Sequence, residues 1–411
     1  MAKNERYVVG LDIGTSKICC LIAEAKEADG ADIIGIGTTP SKGLRKGVVV
    51  DLAATVQALK TAIEEAERMA GYAVERAHVG IAGGHIRSFN SRSVIAIAGR
   101  DREVSRDDVA RVVEAASTVS IPPDREVLHT LPQEFVVDGE EGVRDPRGMN
   151  ASRLEALVHI VTASITSVQN VVNCVNKAGV MVADTVLEQL ASADAVLSPD
   201  EKELGVAIVD IGGGTTDIAI FERGSIWHTA VLPTGGDHVT SDIAVGLRTP
   251  IHEAERIKKK YGCALSTLVP EDEMLEVPVV GGRKPRQLSR RTLCEIVQPR
   301  VEETFALIQD EITRYGFDKS LNAGVVLVGG GSMLEGMPEI AEQIFDMPVR
   351  LAAPFGVGGL SDVVASPAYC TAVGLVHYGL KHREARRRPR DGRWHLARVG
   401  ARVKELFTTL F

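Results

Sequence analysis

Two distant stretches of the chain repeat one pattern, and that repeat restricts the fold more than any other feature. The first, "YVVGLDIGTSKICCLIAEA", starts at Tyr7, and the second, "LGVAIVDIGGGTTDIAIFERG", starts at Leu204. Each reads as an apolar strand, an Asp-Ile-Gly turn with small hydroxyl residues, and a second apolar strand, which is a β-hairpin. A hairpin used twice predicts a duplicated α/β domain. After the first copy the sequence predicts a strand in "DIIGIGT" and a helix from Asp51 to about Met69. Asp51 is the expected N-cap, Val56, Leu59, Ile63, Ala66 and Met69 recur at helical spacing, and Gly71 ends the run. Further helices are expected near 166–178 and 188–197, around the strand "VMVADTVL". Residues of about 85–162 interrupt this rhythm with a strand ending in "SVIAIAG", a helix opened by the capping box Ser105 to Asp108, and the strands "REVLHTLPQEFVVDG" and "LEALVHIVTA". They read as a small inserted α+β subdomain. At 411 residues, 45% of them apolar, the chain has material for several cores.

The turns carry chemistry. In "DIGTSK" and "DIGGGTTD" the glycines Gly14, Gly212, Gly213 and Gly214 let backbone N–H groups approach an anion, and Lys17 adds a charge. The hydroxyls of Thr15, Ser16, Thr215 and Thr216 can bond phosphate oxygens. Asp12 and Asp210 end their strands where they could hold a hydrated Mg2+ against those phosphates. One such turn is an ordinary hairpin; two matching turns form a phosphate clamp. A third motif, Gly329-Gly330-Gly331-Ser332, lies between a buried-type strand and a helix and would admit a flat base and ribose. In "PIHEAERIKKKYG", Glu255, Lys258 and Lys259 share one side and could bond a ribose hydroxyl and flank an adenine, although a solvated charged helix would carry the same residues. Neither a P-loop nor a dinucleotide-binding fingerprint is present.

Charge separates the body from the tail. The chain carries a net −8, whereas residues 381–411 hold ten Lys or Arg against Glu384, Asp391 and Glu405. The body is therefore acidic, which argues against nucleic acid as a partner. The beginning, "MAKNERYVVG", shows no apolar run of signal-peptide type, so a cytoplasmic location is expected. The six cysteines lack paired metal-ligand spacing and are expected to be buried free thiols. In the tail, Leu396, Val399, Val403, Leu406, Phe407, Leu410 and Phe411 fall on one helical face, within an arc of about 140°, with Arg398, Arg402 and Glu405 opposite. Behind the arginine-rich linker "KHREARRRPRDGR", this amphipathic helix is expected to lie on an anionic membrane surface.

Taken together, the two phosphate hairpins, the "VVLVGGGSMLEGMPEI" motif and the helices "LEQLASADAVL" and "YCTAVGLVHYG" resemble the actin, sugar-kinase and heat-shock chaperone superfamily. The segments "LHTLPQEFVVDGEEGVRDPRGMNASRLEALVHIVTA" and "GGDHVTSDIAVGLRTPIHEAERIKKKYG" narrow this to a resemblance to the bacterial cell-division protein FtsA family. The resemblance spans about residues 6–380 and implies a two-lobed, actin-like fold of duplicated ribonuclease-H-like domains. Lobe 1 would comprise 1–84, 163–195 and about 360–380, with the insert at 85–162. Lobe 2 would comprise 196–226 and 304–359, with a smaller unit at 227–303. A basic linker at 381–393 and a membrane-binding helix at 394–411 would follow. Also implied are ATP with Mg2+, self-association into filaments, and docking of the C-terminal peptide of the tubulin-like protein FtsZ. The basic "RKPRQLSRR" loop feeding a helix with Arg300 and Glu303 is the face expected to take that peptide. The protein would sit at the septum, peripheral on the cytoplasmic side of the membrane, with other division proteins. Among other readings, a sugar kinase needs a general base in the cleft, for which Asp217 and Glu188 are available but serve equally as scaffolding. A chaperone needs a substrate domain, for which about thirty residues are too few. A pilus-assembly scaffold would share most motifs without needing the terminal helix. No residue marks itself as the group that orients water, so weak ATP hydrolysis at most is expected.

Overall fold

The computed structural model describes residues 6–26, 30–98, 101–280 and 284–387. The two repeats become hairpins of the same register. Tyr7–Ile13 pairs with Lys17–Ala25 so that Ile13 faces Ile18 across the turn, and Val206–Ile211 pairs with Thr216–Glu222 so that Ile211 faces Thr216. Each hairpin is the middle of a larger sheet. In the first, the strand order is Met181–Leu187, Arg76–Ile81, Tyr7–Ile13, Lys17–Ala25, Ala31–Pro40 and Val357–Gly359. In the second it is Ser225–Leu232, Thr216–Glu222, Val206–Ile211, Val325–Val328 and Val349–Leu351. Both have three antiparallel strands on one side and parallel neighbours on the other, so the duplication is one of topology as well as sequence.

Helices cover the sheets because their apolar stripes have nowhere else to go. Leu52–Ala70 starts at Asp51, whose side chain accepts from the Ala54 N–H, and ends at Gly71 with φ of 63°. It buries Leu59, Ala62, Ile63 and Ala66 against lobe 1, whereas Met69 is 51% exposed, because the last turn packs on Gly35 of the sheet through Ala70 instead. Lobe 2 builds its core around Val209, Ile218, Phe305, Ile308 and Leu327. A third core belongs to the interrupting segment, where the antiparallel strands Arg87–Ala96, Arg153–Ser164, Arg125–Val137 and Glu140–Val143 are covered by the helix Arg106–Ser117. Ser105 and Asp108 form the expected capping box of that helix. The short strand Glu140–Val143 has no sequence signal, as three of its four residues are exposed.

Three expected limits are corrected by the sheets. Strand Ser225–Leu232 is part of the lobe 2 sheet, so the smaller unit leaves after Leu232 and not at 227. Strand Val357–Gly359 pairs with Ala31 to Ile33, so the chain has already returned to lobe 1 before 360. The helix Cys370–Arg387 runs into the stretch read as linker, and Lys381 there pairs with Asp194 at 2.9 Å. The tail face from Leu396 to Phe411 lies outside the described residues. All six cysteines are buried and free. Among the described residues no helix is long and apolar enough to cross a membrane.

Candidate functional site

Between the lobes lies a cavity of about 640 Å³. The strands Tyr7–Ile13 and Val206–Ile211 end at its floor, which is how two residues so far apart in sequence, Asp12 and Asp210, come together. The turns that follow are tight: the Gly14 N–H donates to Lys17 O at 3.0 Å and the Gly212 N–H donates to Thr215 O at 2.9 Å. They also meet across the cleft. A Cβ on Gly213 would stand 1.9 Å from Ser16 Oγ, and one on Gly214 would stand 3.0 Å from Thr15 Oγ1, so only side-chain-free backbone allows the lobes this approach.

Of the residues singled out from sequence, Asp12, Gly14, Thr15, Ser16, Lys17, Asp210, Gly212, Gly213, Thr215, Glu255, Lys258, Lys259, Gly329, Gly330 and Gly331 all line this one cavity. Three others do not. Gly214 is turned against Thr15 and Lys46. Thr216 is fully buried and spends its hydroxyl on Thr234 O at 3.0 Å. Ser332 is likewise buried and donates to Gly329 O at 2.7 Å, which fixes the glycine turn from behind. Arg300 and Glu303 stand outside the cleft. Arg300 reaches Asp242 through Nε at 2.6 Å and Nη2 at 3.3 Å and also bonds Glu303, so it ties the helix Arg290–Arg314 to the helix Gly236–Leu247. The hydrogen bond to Asp242 holds its guanidinium above its ordinary pKa.

The floor is crowded with acids. Asp12, Glu188, Asp210 and Asp217 converge on it, with Lys17 as the ammonium among them. Burial pushes Asp12 up to about 6, with Lys17 pulling down and Asp210 adding to the rise. Burial and the charge of Asp210 raise Asp217 to about 8, and burial followed by Asp12, Asp217 and Asp210 lifts Glu188 well above its usual range. Asp210 is raised by burial too, against hydrogen bonds from Ser192 at 2.9 Å and Thr371 at 3.2 Å. Ser192 and Thr371 sit on the helices Glu188–Val196 and Cys370–Arg387, and with Gln189, which donates to Asp217 at 2.9 Å, they are site residues that sequence reasoning missed. Both helices show in the sequence as runs of small residues, but their crossing does not.

Lys17 donates to Ala368 O at 2.6 Å and lies 3.8 Å from the centroid of the Tyr369 ring, so its ammonium is aimed along the cleft. At the far end, Glu255 binds Lys258 at 2.7 Å and Lys259 at 3.2 Å. Burial works to raise Glu255, but the bonds from Lys258 and Thr240 prevail and hold it below its ordinary value. Arg290 bridges Glu273 at 2.9 Å and Glu335, and closes that end beside Met333 and Leu334. The cavity therefore has one end built from glycine turns over Lys17 and buried acids, and another edged by paired charges.

Four carboxylates with raised pKa values at one end of the cavity would be relieved by a cation, so the donor set suits a hard divalent ion. Among the described residues no three such groups converge closely enough to hold a metal by themselves. The fit is to an ion that keeps water and phosphate oxygens as its main ligands.

Comparison with known proteins gives the family and the fold. A family model for cell division protein FtsA matches residues 207–374, and one for an SHS2 domain inserted in FtsA matches 83–162. Cell division protein FtsA of Pseudomonas aeruginosa is 55% identical over 379 residues, covering 92% of this chain and 90% of that protein. The chain belongs to the FtsA family of cell-division proteins. The FtsA of Escherichia coli K12 is 41% identical over 385 residues, covering 92% and 91%. Solved structures place the FtsA chain in the actin-like fold. The PilM-PilN type IV pilus biogenesis complex matches with a TM-score of 0.65 at 16% identity, over 91% of this chain and 98% of the other. MreB5 of Spiroplasma citri bound to ADP matches with 0.57 at 14% identity, over 93% and 99%. A MamK double helical filament matches with 0.53 at 14%, over 93% and 100%. The expected actin-like fold with an inserted subdomain is thereby borne out.

Proposed function

We propose that this cell-division protein binds Mg-ATP between its lobes, self-associates into filaments, and tethers FtsZ to the cytoplasmic face of the membrane. The observation that carries the reading is the meeting of the two glycine turns across the cleft, at the end of the cavity lined by Asp12, Asp210 and Lys17, where side-chain-free backbone would let phosphates approach. Asp12 and Asp210 would hold Mg2+ through water. The ion would supply charge neutralisation for the phosphates. The Gly329 to Gly331 turn, with Glu255, Lys258 and Lys259, would hold the nucleoside. Weak hydrolysis at most is in keeping with the floor: Asp217 accepts from Gln189 and Thr215, and burial among other acids holds both it and Glu188 above the usual carboxylate range.

Family membership supports the partner readings. The smaller unit of lobe 2 would take the FtsZ tail peptide on the face that carries Arg300 and Glu303. The insert, with its own core and outside the nucleotide cavity, would offer surface to neighbouring copies and to other division proteins. The tail beyond residue 393 would lie on anionic lipid, where many weak helices on one polymer add up to firm attachment.

Co-sedimentation of the full-length chain with FtsZ and anionic vesicles, with and without Mg-ATP, tests this. FtsZ should pellet with vesicles only when the chain is present, and more strongly with Mg-ATP. FtsZ that stays in the supernatant under all conditions would refute the tether.

A further inference from the structure

A small hairpin outside the assigned motifs closes the glycine-turn end of the cleft. Leu44 and Arg45 pair with Val49 and Val48, and the turn between them, Lys46 and Gly47, has positive φ at both positions, 50° and 74°. That is the backbone of a two-residue hairpin turn. It touches three structures at once. The Gly47 N–H donates to Thr15 Oγ1 at 3.2 Å, in the first phosphate turn. Lys46 Cα lies 3.1 Å from where a Cβ on Gly214 would be, in the second turn. Gly47 itself is packed on Ala82 and Gly83, so that a Cβ on it would come within 2.6 Å of Gly83 Cα.

The hydrogen bond has a consequence for Thr15. Its hydroxyl oxygen accepts from Gly47, so its own proton is left free to donate at the cavity it lines. Leu44 and Gly47 line that cavity too. The charge balance points the same way. At the turn end Lys17 faces Asp12, Glu188, Asp210 and Asp217, and Lys258, which reaches Gly236 O at 3.0 Å, is already held by Glu255, as Arg290 is by Glu335. Lys42, Arg45 and Lys46 are exposed on and beside the hairpin whose Leu44 and Gly47 line the cavity, and among the described residues none of them forms an ion pair. A nucleotide with a third phosphate brings more negative charge to this end than Lys17 can match.

On the basis of the nucleotide reading above, we propose that the Leu44–Val49 hairpin is the element that distinguishes a nucleoside triphosphate from a diphosphate. Gly47 positions the Thr15 hydroxyl as a donor, and Arg45 and Lys46 supply the charge that the terminal phosphate meets. Arg45 and Lys46 are then specificity-determining residues, and Gly47 is a positioning residue.

The test is calorimetric titration of Mg-ATP and Mg-ADP into the full-length chain and into the variant Arg45→Ser with Lys46→Gly. Glycine at 46 suits the positive φ, so the melting temperature should hold or rise. ATP affinity should fall about tenfold, the size of one charge-assisted hydrogen bond, while ADP affinity stays within about twofold. The ATP affinity of the variant should also lose part of its salt dependence, and Lys46→Arg should bind as the wild type does. An equal loss for both nucleotides, or no loss for ATP, would overturn the assignment. A wild-type chain that binds neither nucleotide would instead refute the nucleotide reading itself, and the hairpin's role with it.

Discussion

Lowering the pH should loosen the insert from lobe 2, through one buried imidazole. His159 is 1% exposed, where the insert sheet crosses the edge strand Ser225–Leu232. Its Nδ1 is 2.6 Å from Asn90 Oδ1, which can only accept, so Nδ1 carries the proton; Nε2, 3.0 Å from Thr229 Oγ1, accepts from that hydroxyl. The neutral ring is thus fully bonded. Burial, with His228 nearby, lowers its pKa from the ordinary 6.5 to about 3. An unfolded chain takes up a proton below 6.5 and the native ring does not until about 3, so stability falls as pH drops through that window. At pH 5 the cost is about 2 kcal/mol. The raised carboxyls Asp12, Asp217 and Glu188 act in the opposite sense, since the native state binds their protons more readily and gains stability on acidification. Comparing wild type with His159→Gln cancels that background, because glutamine keeps a donor and an acceptor but does not titrate. Urea denaturation at pH 7.5 and 5.0 should show the wild type losing about 2 kcal/mol more than the variant over this interval. Parallel losses in the two proteins would refute the role assigned to His159.

Other expectations follow from contacts already described. Gly213→Ala places a Cβ on Ser16 Oγ and should cost about 1–3 kcal/mol along with nucleotide affinity, part of which Ser16→Gly should restore; an unchanged melting temperature would argue against the close approach of the turns. Phe305→Ala empties a fully buried site stacked edge-on to Phe345 at 5.4 Å, and denaturation should register a loss of about 3–5 kcal/mol. Truncation at Gly392, or Phe407→Glu, should release the chain from anionic vesicles in flotation assays while Mg-ATP binding survives. Vesicle binding by the truncated chain would exclude the tail as the anchor.

Much of the lobe architecture was legible because it rests on local rules. The hairpins are written in alternating apolar strands and glycine turns, and the helix from Asp51 to Gly71 in its caps. The convergence of fifteen proposed nucleotide residues on one cavity was legible for a different reason: a duplicated hairpin, folded twice, must bring its two turns face to face. What failed depends on long-range pairing. Thr216 sits where a phosphate-binding hydroxyl belongs in sequence, yet the strand's alternation points it into the lobe, toward Thr234. Ser192 and Thr371 meet only because two helices cross, which no local pattern records. Val357–Gly359 is too short to announce itself as a strand, and its partner at Ala31 lies at the other end of the chain. Arg300, read in the sequence as a contact for the FtsZ peptide, is tied to Asp242 on a neighbouring helix, a pairing that no local pattern records.

The central claim is that Mg-ATP occupies the opening between the two glycine turns, with Asp210 beneath it. Its most direct test is the melting temperature of the wild type and of Asp210→Ala across a titration of Mg-ATP, with a parallel titration in chelator. The wild type should rise with ligand by the equivalent of about 2.7 kcal/mol at a hundredfold excess over Kd, and the rise should be lost in the variant and shrink in chelator. A wild-type melting temperature indifferent to Mg-ATP, or an equal rise in Asp210→Ala, would contradict it.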